Sequence, residues 1–147
     1  PDYQKRLATY RPFGSPIESP AGIQGKATQF VMILDALQLR LLEKIRSDLA
    51  GYSVVRSTSP LDNRAIWLEI FAGGIHKGNS CQTLLKKLNI NCKEVAGLGN
   101  DYNDIDFLDI CAEAYLVANA PVNLQRHYKL VKSDKEEGFT EFISKVL

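Results

Sequence analysis

The stretch Gly97-Leu98-Gly99-Asn100-Asp101-Tyr102-Asn103-Asp104 constrains this chain more than any other. It follows the short apolar run Val95-Ala96 and precedes apolar residues at helical spacing, Ile105, Leu108 and Cys111. A strand end, a glycine-bearing turn and a helix start are therefore predicted, the arrangement at which open α/β sheets collect ligands. Asn100, Asp101, Asn103 and Asp104 crowd hard oxygen donors into one turn, which suits Mg²⁺. The same residue types also serve as ordinary turn and helix-capping groups. Two sharper motifs fail on spacing. A dinucleotide fingerprint needs a third glycine where Tyr102 stands. An EF-hand loop opening at Asp101 needs Asp or Asn at 105 and glycine at 106, where Ile105 and Asp106 stand.

The rest of the chain supplies the frame. Residues 1–29 hold four of the six prolines, with Gly14, Gly22 and Gly25 among them, so a loop-like lead is expected there, the tail of something upstream. A buried-type strand is predicted over 30–34. Asp35 and Gln38 then form a capping-box pattern, and Leu37, Leu41, Ile45 and Leu49 predict an amphipathic helix over 36–50, ended by Gly51. The β-rich runs 52–58 and 65–71, joined by a turn at Pro60, Asp62 and Asn63, read as an antiparallel hairpin. Gly73-Gly74 marks a boundary, which gives a partial lobe over 30–73 and a second over 74–147. The second lobe alternates: a helix carrying Cys81, Leu84, Leu85 and Leu88, a strand near 93–98, a helix over 104–112, and a strand at 114–118. A short helix near 122–128, a strand at 129–132 and a helix over 139–147 follow. That alternation predicts an α/β fold with a parallel sheet.

Composition narrows the partners. The formal charge of +1 leaves no electrostatic footprint for nucleic acid or an anionic membrane. No apolar run approaches the ~20 residues of a membrane helix, and no secretory signal pattern opens the chain. Cys81, Cys92 and Cys111 are odd in number and widely spaced. They read as reduced, small core residues of a cytoplasmic protein rather than a disulfide framework or zinc site.

Lys77 opens a predicted helix, where a cation opposes the helix macrodipole and calls for an anion nearby. Asn119-Ala120-Pro121 follows a strand and marks another carboxyl-end turn. His76 and His127 are lone and read as structural.

Four features in order resemble the haloacid dehalogenase-like (HAD) hydrolases that carry a large α/β cap, the sugar-phosphate, sucrose-phosphate and mannosyl-phosphoglycerate phosphatases. They are His76-Lys77-Gly78 opening a helix, Gly99-Asn100-Asp101-Tyr102-Asn103-Asp104 trailed by Phe107-Leu108, Asn119-Ala120 after the next strand, and Glu137-Gly138-Phe139 leading into the last helix. The resemblance covers about residue 30 onward. It implies the carboxyl-terminal part of a Rossmann-like parallel-sheet core plus the second half of the cap. It further implies Mg²⁺-dependent hydrolysis of a small phosphorylated metabolite, a sugar phosphate among them, through an aspartyl-phosphate. Lys77 would stabilise charge on nucleophile and phosphate, Asp101 and Asp104 with Asn100 would hold the metal, and Asn103 and Asn119 would border the phosphate.

Two departures stand out. The usual first acid of the metal motif is Asn100, with Asp101 one place later, and spacing does not choose among Asn100, Asp101 and Asp104. The nucleophile motif Asp-x-Asp-Gly-Thr is absent from the 147 residues. The chain therefore reads as the carboxyl-terminal half of such an enzyme, inactive alone, its nucleophile outside these residues. It would also expose a long apolar edge at the strand near 93–98, to be covered by the missing amino-terminal half, by residues 1–29 or by self-association. The alternative is a catalytically silent α/β module that binds a phosphorylated ligand or a partner.

Overall fold

The computed structural model describes residues 2–61 and 65–147, which divide into two compact units, 1–73 and 74–147. The expected turn residues Asp62 and Asn63 lie outside the described residues.

The first unit is built on three antiparallel strands, β1 (Phe30–Asp35), β2 (Tyr52–Thr58) and β3 (Ala65–Ala72), in the order β1-β3-β2. β3 is central because Ile66, Trp67 and Leu68 are apolar in succession, so both of its faces can be covered. One face gathers Leu34, Ile66 and Leu68 against Leu42 of a helix, α2 (Leu41–Asp48). The helix expected over 36–50 is shorter than its periodicity. Residues 36–38 form a 3-10 turn closed by the predicted capping pair: the Leu37 N–H donates to Asp35 Oδ1 (2.9 Å) and the Asp35 N–H to Gln38 Oε1 (3.0 Å). Leu37 is consequently exposed.

The lead also departs from expectation. Residues 2–10 form a helix, α1 (Asp2–Tyr10), rather than a loop. The prolines that argued against a helix fall beyond it, at 12, 16 and 20, where they open short 3-10 turns (Arg11–Phe13 and Pro20–Gly22) and extended chain. Asp2 is buried and anchors α1, accepting hydrogen bonds from the Ser59 hydroxyl and from Trp67 Nε1 (3.1 Å).

The second unit is a parallel sheet, β4 (Ala96–Gly99), β5 (Glu113–Val117) and β6 (Lys129–Val131), in that order. Around it run α3 (Lys77–Leu88), α4 (Ile105–Leu108), α5 (Val122–Gln125) and α6 (Gly138–Val146). β5 is the middle strand. Its Tyr115, Leu116 and Val117 are all buried, as a parallel strand covered on both faces requires. Leu108, Leu124, Val131 and Phe142 complete the core, with the Tyr115 and Phe142 rings edge-to-face at 5.4 Å.

β4 is an outer strand of this sheet, and at four residues its edge is short rather than long. Lys93 and Glu94, at the start of the expected strand, instead belong to a 3-10 turn (Cys92–Glu94) capped by Asn91, whose Oδ1 receives the Lys93 N–H (3.0 Å). Cys92 on that turn is exposed, against the expectation of a core residue; Cys81 and Cys111 are half-buried. No helix among the described residues is long and apolar enough to cross a membrane.

Candidate functional site

All three strands of the parallel sheet deliver loops to the same, carboxyl-terminal end. β4 ends in the acidic turn, β5 in Asn119-Ala120-Pro121, and β6 in the loop holding Asp134. This is where a doubly wound sheet presents its ligand-binding groups.

Asp104 is the hub. It is buried, and one carboxylate oxygen accepts the backbone N–H groups of Asn100 (2.8 Å) and Asp101 (3.2 Å). Its other oxygen pairs with the Lys77 ammonium, which arrives from 27 residues upstream and also reaches Asn103 Oδ1 at 3.4 Å. The anion that Lys77 needed at the start of α3 is thus Asp104. Asp101 is buried as well and caps the turn, its Oδ1 receiving the Tyr102 N–H (2.8 Å). The capping role of these residues is therefore realised, together with the meeting of Lys77 and the acidic turn. The helix expected over 104–112 is in fact this capped 3-10 turn, Tyr102–Asp104, followed by the single turn of α4.

Two glycines let the parts approach. A methyl at Gly78 would sit 2.5 Å from the Asp106 carbonyl oxygen, so only glycine lets the start of α3 touch α4 there. A methyl at Gly99 would meet Asp104 Cβ and Leu108 Cδ1, both at 2.8 Å. His76 packs beside this contact, its Nδ1 3.1 Å from Asp106 Oδ2.

Asn119 is placed at the same sheet end, but its amide is occupied. Its Nδ2 donates to Asp134 Oδ1 (2.8 Å), and its Oδ1 accepts the Asp134 N–H (3.2 Å). Asp134 was not singled out from the sequence, because a pairing fifteen residues distant between two loops leaves no local pattern. Tyr102 likewise reaches across, donating its hydroxyl to Asn123 Oδ1 (2.7 Å).

Most of the oxygen donors at the turn are already engaged within the protein. Among the described residues no three His, Cys, Asp or Glu side chains are grouped to hold one. Asp104 is taken by two amides and Lys77, while Asn100 is exposed. An octahedral Mg²⁺ site would thus be incomplete on these residues alone.

The comparisons with known proteins meet this geometry. The family model of the haloacid dehalogenase-like hydrolases matches residues 9–143. The chain belongs to that family. A candidate phosphatase of Streptococcus pyogenes serotype M6 is 27% identical over 95 residues, which are 64% of this chain and 33% of that protein. Among solved structures, a Streptococcus mutans protein superposes with a TM-score of 0.76 at 22% identity, over 97% of this chain and 54% of its own. A HAD subclass IIB sugar phosphatase superposes with a TM-score of 0.65 at 14% identity, over 80% of this chain and 42% of its own. These likenesses show the fold. The chain spans about a third of that curated relative and about half of these solved ones.

Proposed function

We propose that this HAD-like chain is the Lys77-bearing part of a phosphomonoesterase acting on a small phosphorylated metabolite, a sugar phosphate among them. The carrying observation is the meeting of Lys77 with Asp104 and Asn103 at the carboxyl end of β4. Phosphoryl transfer is mainly a matter of positioning and of neutralising charge on the transferred oxygens. Lys77 suits both needs. Its ammonium is half-exposed, so it can face a ligand, and Asp104 fixes where it points. Asp104 is fixed in turn by two backbone amides, so the cation rests on a rigid support.

In this reading the gene-level unit is longer than the 147 residues, and the nucleophilic carboxylate comes from outside them. Mg²⁺ would be held by Asn100 and Asp101 with oxygens from beyond this chain, Asp104 anchoring their backbone amides. Once bound, the ion supplies charge neutralisation at the phosphoryl oxygens. The amino-terminal unit is the partial cap and the second unit the partial core. The Asn119–Asp134 clamp holds the β5 and β6 loops at the border of the phosphate position. The reading has support from the candidate phosphatase relative and from the sugar phosphatase fold neighbour.

The test is hydrolysis of p-nitrophenyl phosphate and hexose phosphates by a longer protein carrying these residues, wild type against Lys77→Ala. Losing one fixed donor at the phosphoryl group should cost on the order of 10²-fold in kcat. The unfolding midpoint should barely move, because a half-exposed lysine contributes little stability. A Lys77→Ala enzyme that turns over at the wild-type rate would refute the assignment.

A further inference from the structure

A second feature belongs wholly to the first unit. A cavity of about 670 Å³ lies among α1, the segment 11–17 and β1, a volume in the range of small-molecule sites. Its floor is apolar: Leu7 of α1, Ile17, and Val31 with Ile33, which alternate onto one face of β1. Leu34 points the other way, into the cluster under α2, so the Val31–Ile33 face is not consumed by that core. Two arginines line the cavity, Arg6 and Arg11. Arg6 is held over the Trp67 ring (4.2 Å) and the Tyr10 ring (5.0 Å), which places its charge without neutralising it.

No acid lines this cavity among the described residues, and neither arginine is paired there with a carboxylate. The nearby acid, Asp2, is buried and already satisfied by Ser59 and Trp67. Two arginines, neither in ion-pair contact with a carboxylate, beside an apolar floor of ligand size, select one chemistry. A neutral ligand would leave the guanidiniums unmatched. A bare inorganic anion would leave the floor wet.

We infer that this pocket binds an organic anion with an apolar, ring-sized body, its charged head on Arg6 and Arg11 and its body on Leu7, Val31 and Ile33. This inference stands independently of the phosphatase reading. It uses no residue of the Lys77 site.

The test titrates 2-naphthoate into the 147-residue chain while following backbone amide resonances, with 2-naphthamide (same body, no charge) and acetate (same charge, no body) as controls. Shifts should concentrate in residues 3–17 and 31–33. Naphthoate should bind at least about tenfold tighter than naphthamide, as expected for charge-assisted hydrogen bonds to guanidinium, and acetate should leave those residues unmoved. Arg11→Gln, at an exposed position, should remove the naphthoate preference and leave naphthamide binding unchanged. Leu7→Glu, also at an exposed position, should abolish both. Equal binding of naphthoate and naphthamide, shifts confined to other residues, or no binding at millimolar probe would each overturn the proposal.

Discussion

Replacing Asp104 with asparagine isolates what holds the candidate site together. The side chain is nearly isosteric, so packing against Gly99 is kept and only the hydrogen-bonding character changes. The carboxylate accepts from two backbone amides on one oxygen and from Lys77 on the other. An asparagine amide has one oxygen and one NH₂. Turned toward the backbone, its NH₂ faces the Lys77 ammonium, donor against donor. Turned toward Lys77, its NH₂ faces two N–H groups inside a buried turn. Hydrogen bonds to a charged group contribute about 1.5–3 kcal/mol each, and a buried donor left unpaired costs about 1–3 kcal/mol. The Lys77 contact itself is worth no more than about 1 kcal/mol, because the lysine side chain is half in solvent. Asp104→Asn should therefore destabilise the second unit by about 2–4 kcal/mol, and Lys77→Ala by less than about 1 kcal/mol. Urea unfolding followed through the amides of Leu108 and Leu116 reads that unit directly. Equal losses in the two variants, or an Asp104→Asn protein as stable as wild type, would refute the hub role given to Asp104.

Other outcomes follow from the same structure. Gly78→Ala should cost about 1–3 kcal/mol or more by overpacking, since its methyl meets backbone rather than a movable side chain. Amide resonances of Lys77 and Asp106 should shift with it. Cys111 should resist iodoacetamide at pH 8, because burial, followed by the neighbouring Cys81 and Cys92 thiols, pushes its pKa up to about 11; exposed Cys92 should react first. That raised pKa also makes the folded chain hold its proton longer than the unfolded one. Its contribution to stability is complete below about pH 9 and should fall as pH rises toward 11, which urea midpoints across that range would detect. The 147-residue chain alone should release no phosphate from p-nitrophenyl phosphate with Mg²⁺ present.

What could be read from the sequence was what local chemistry determines. The acidic turn showed itself because an apolar run, two glycines and four oxygen-bearing side chains stand within twelve residues. The hairpin strands were legible because 52–58 and 65–71 are rich in β-formers, and the observed strands begin at the same residues. Lys77 was conspicuous because a cation at a helix start needs an anion, and the fold brings Asp104 to it. The failures have the opposite character. α1 was hidden because prolines just past its end outweighed its own helix-forming residues. The 36–50 helix was overextended because Leu37 matched a four-residue spacing while its neighbours were engaged in a capped 3-10 turn. The Asn119–Asp134 clamp and the Arg6–Trp67 stack join residues far apart, and no periodicity records such a pairing.

The central claim is that Lys77 and the acidic turn receive a phosphate and Mg²⁺ together, and it is tested most directly on the chain itself. Mg²⁺ and inorganic phosphate are titrated singly and jointly while the amides of residues 76–78 and 99–105 are followed. The account predicts weak shifts in both segments with either alone, and larger, mutually strengthened shifts when both are present, lost in Lys77→Ala and Asp101→Ala. Shifts elsewhere with these segments silent, or joint addition no stronger than the sum of its parts, would contradict it.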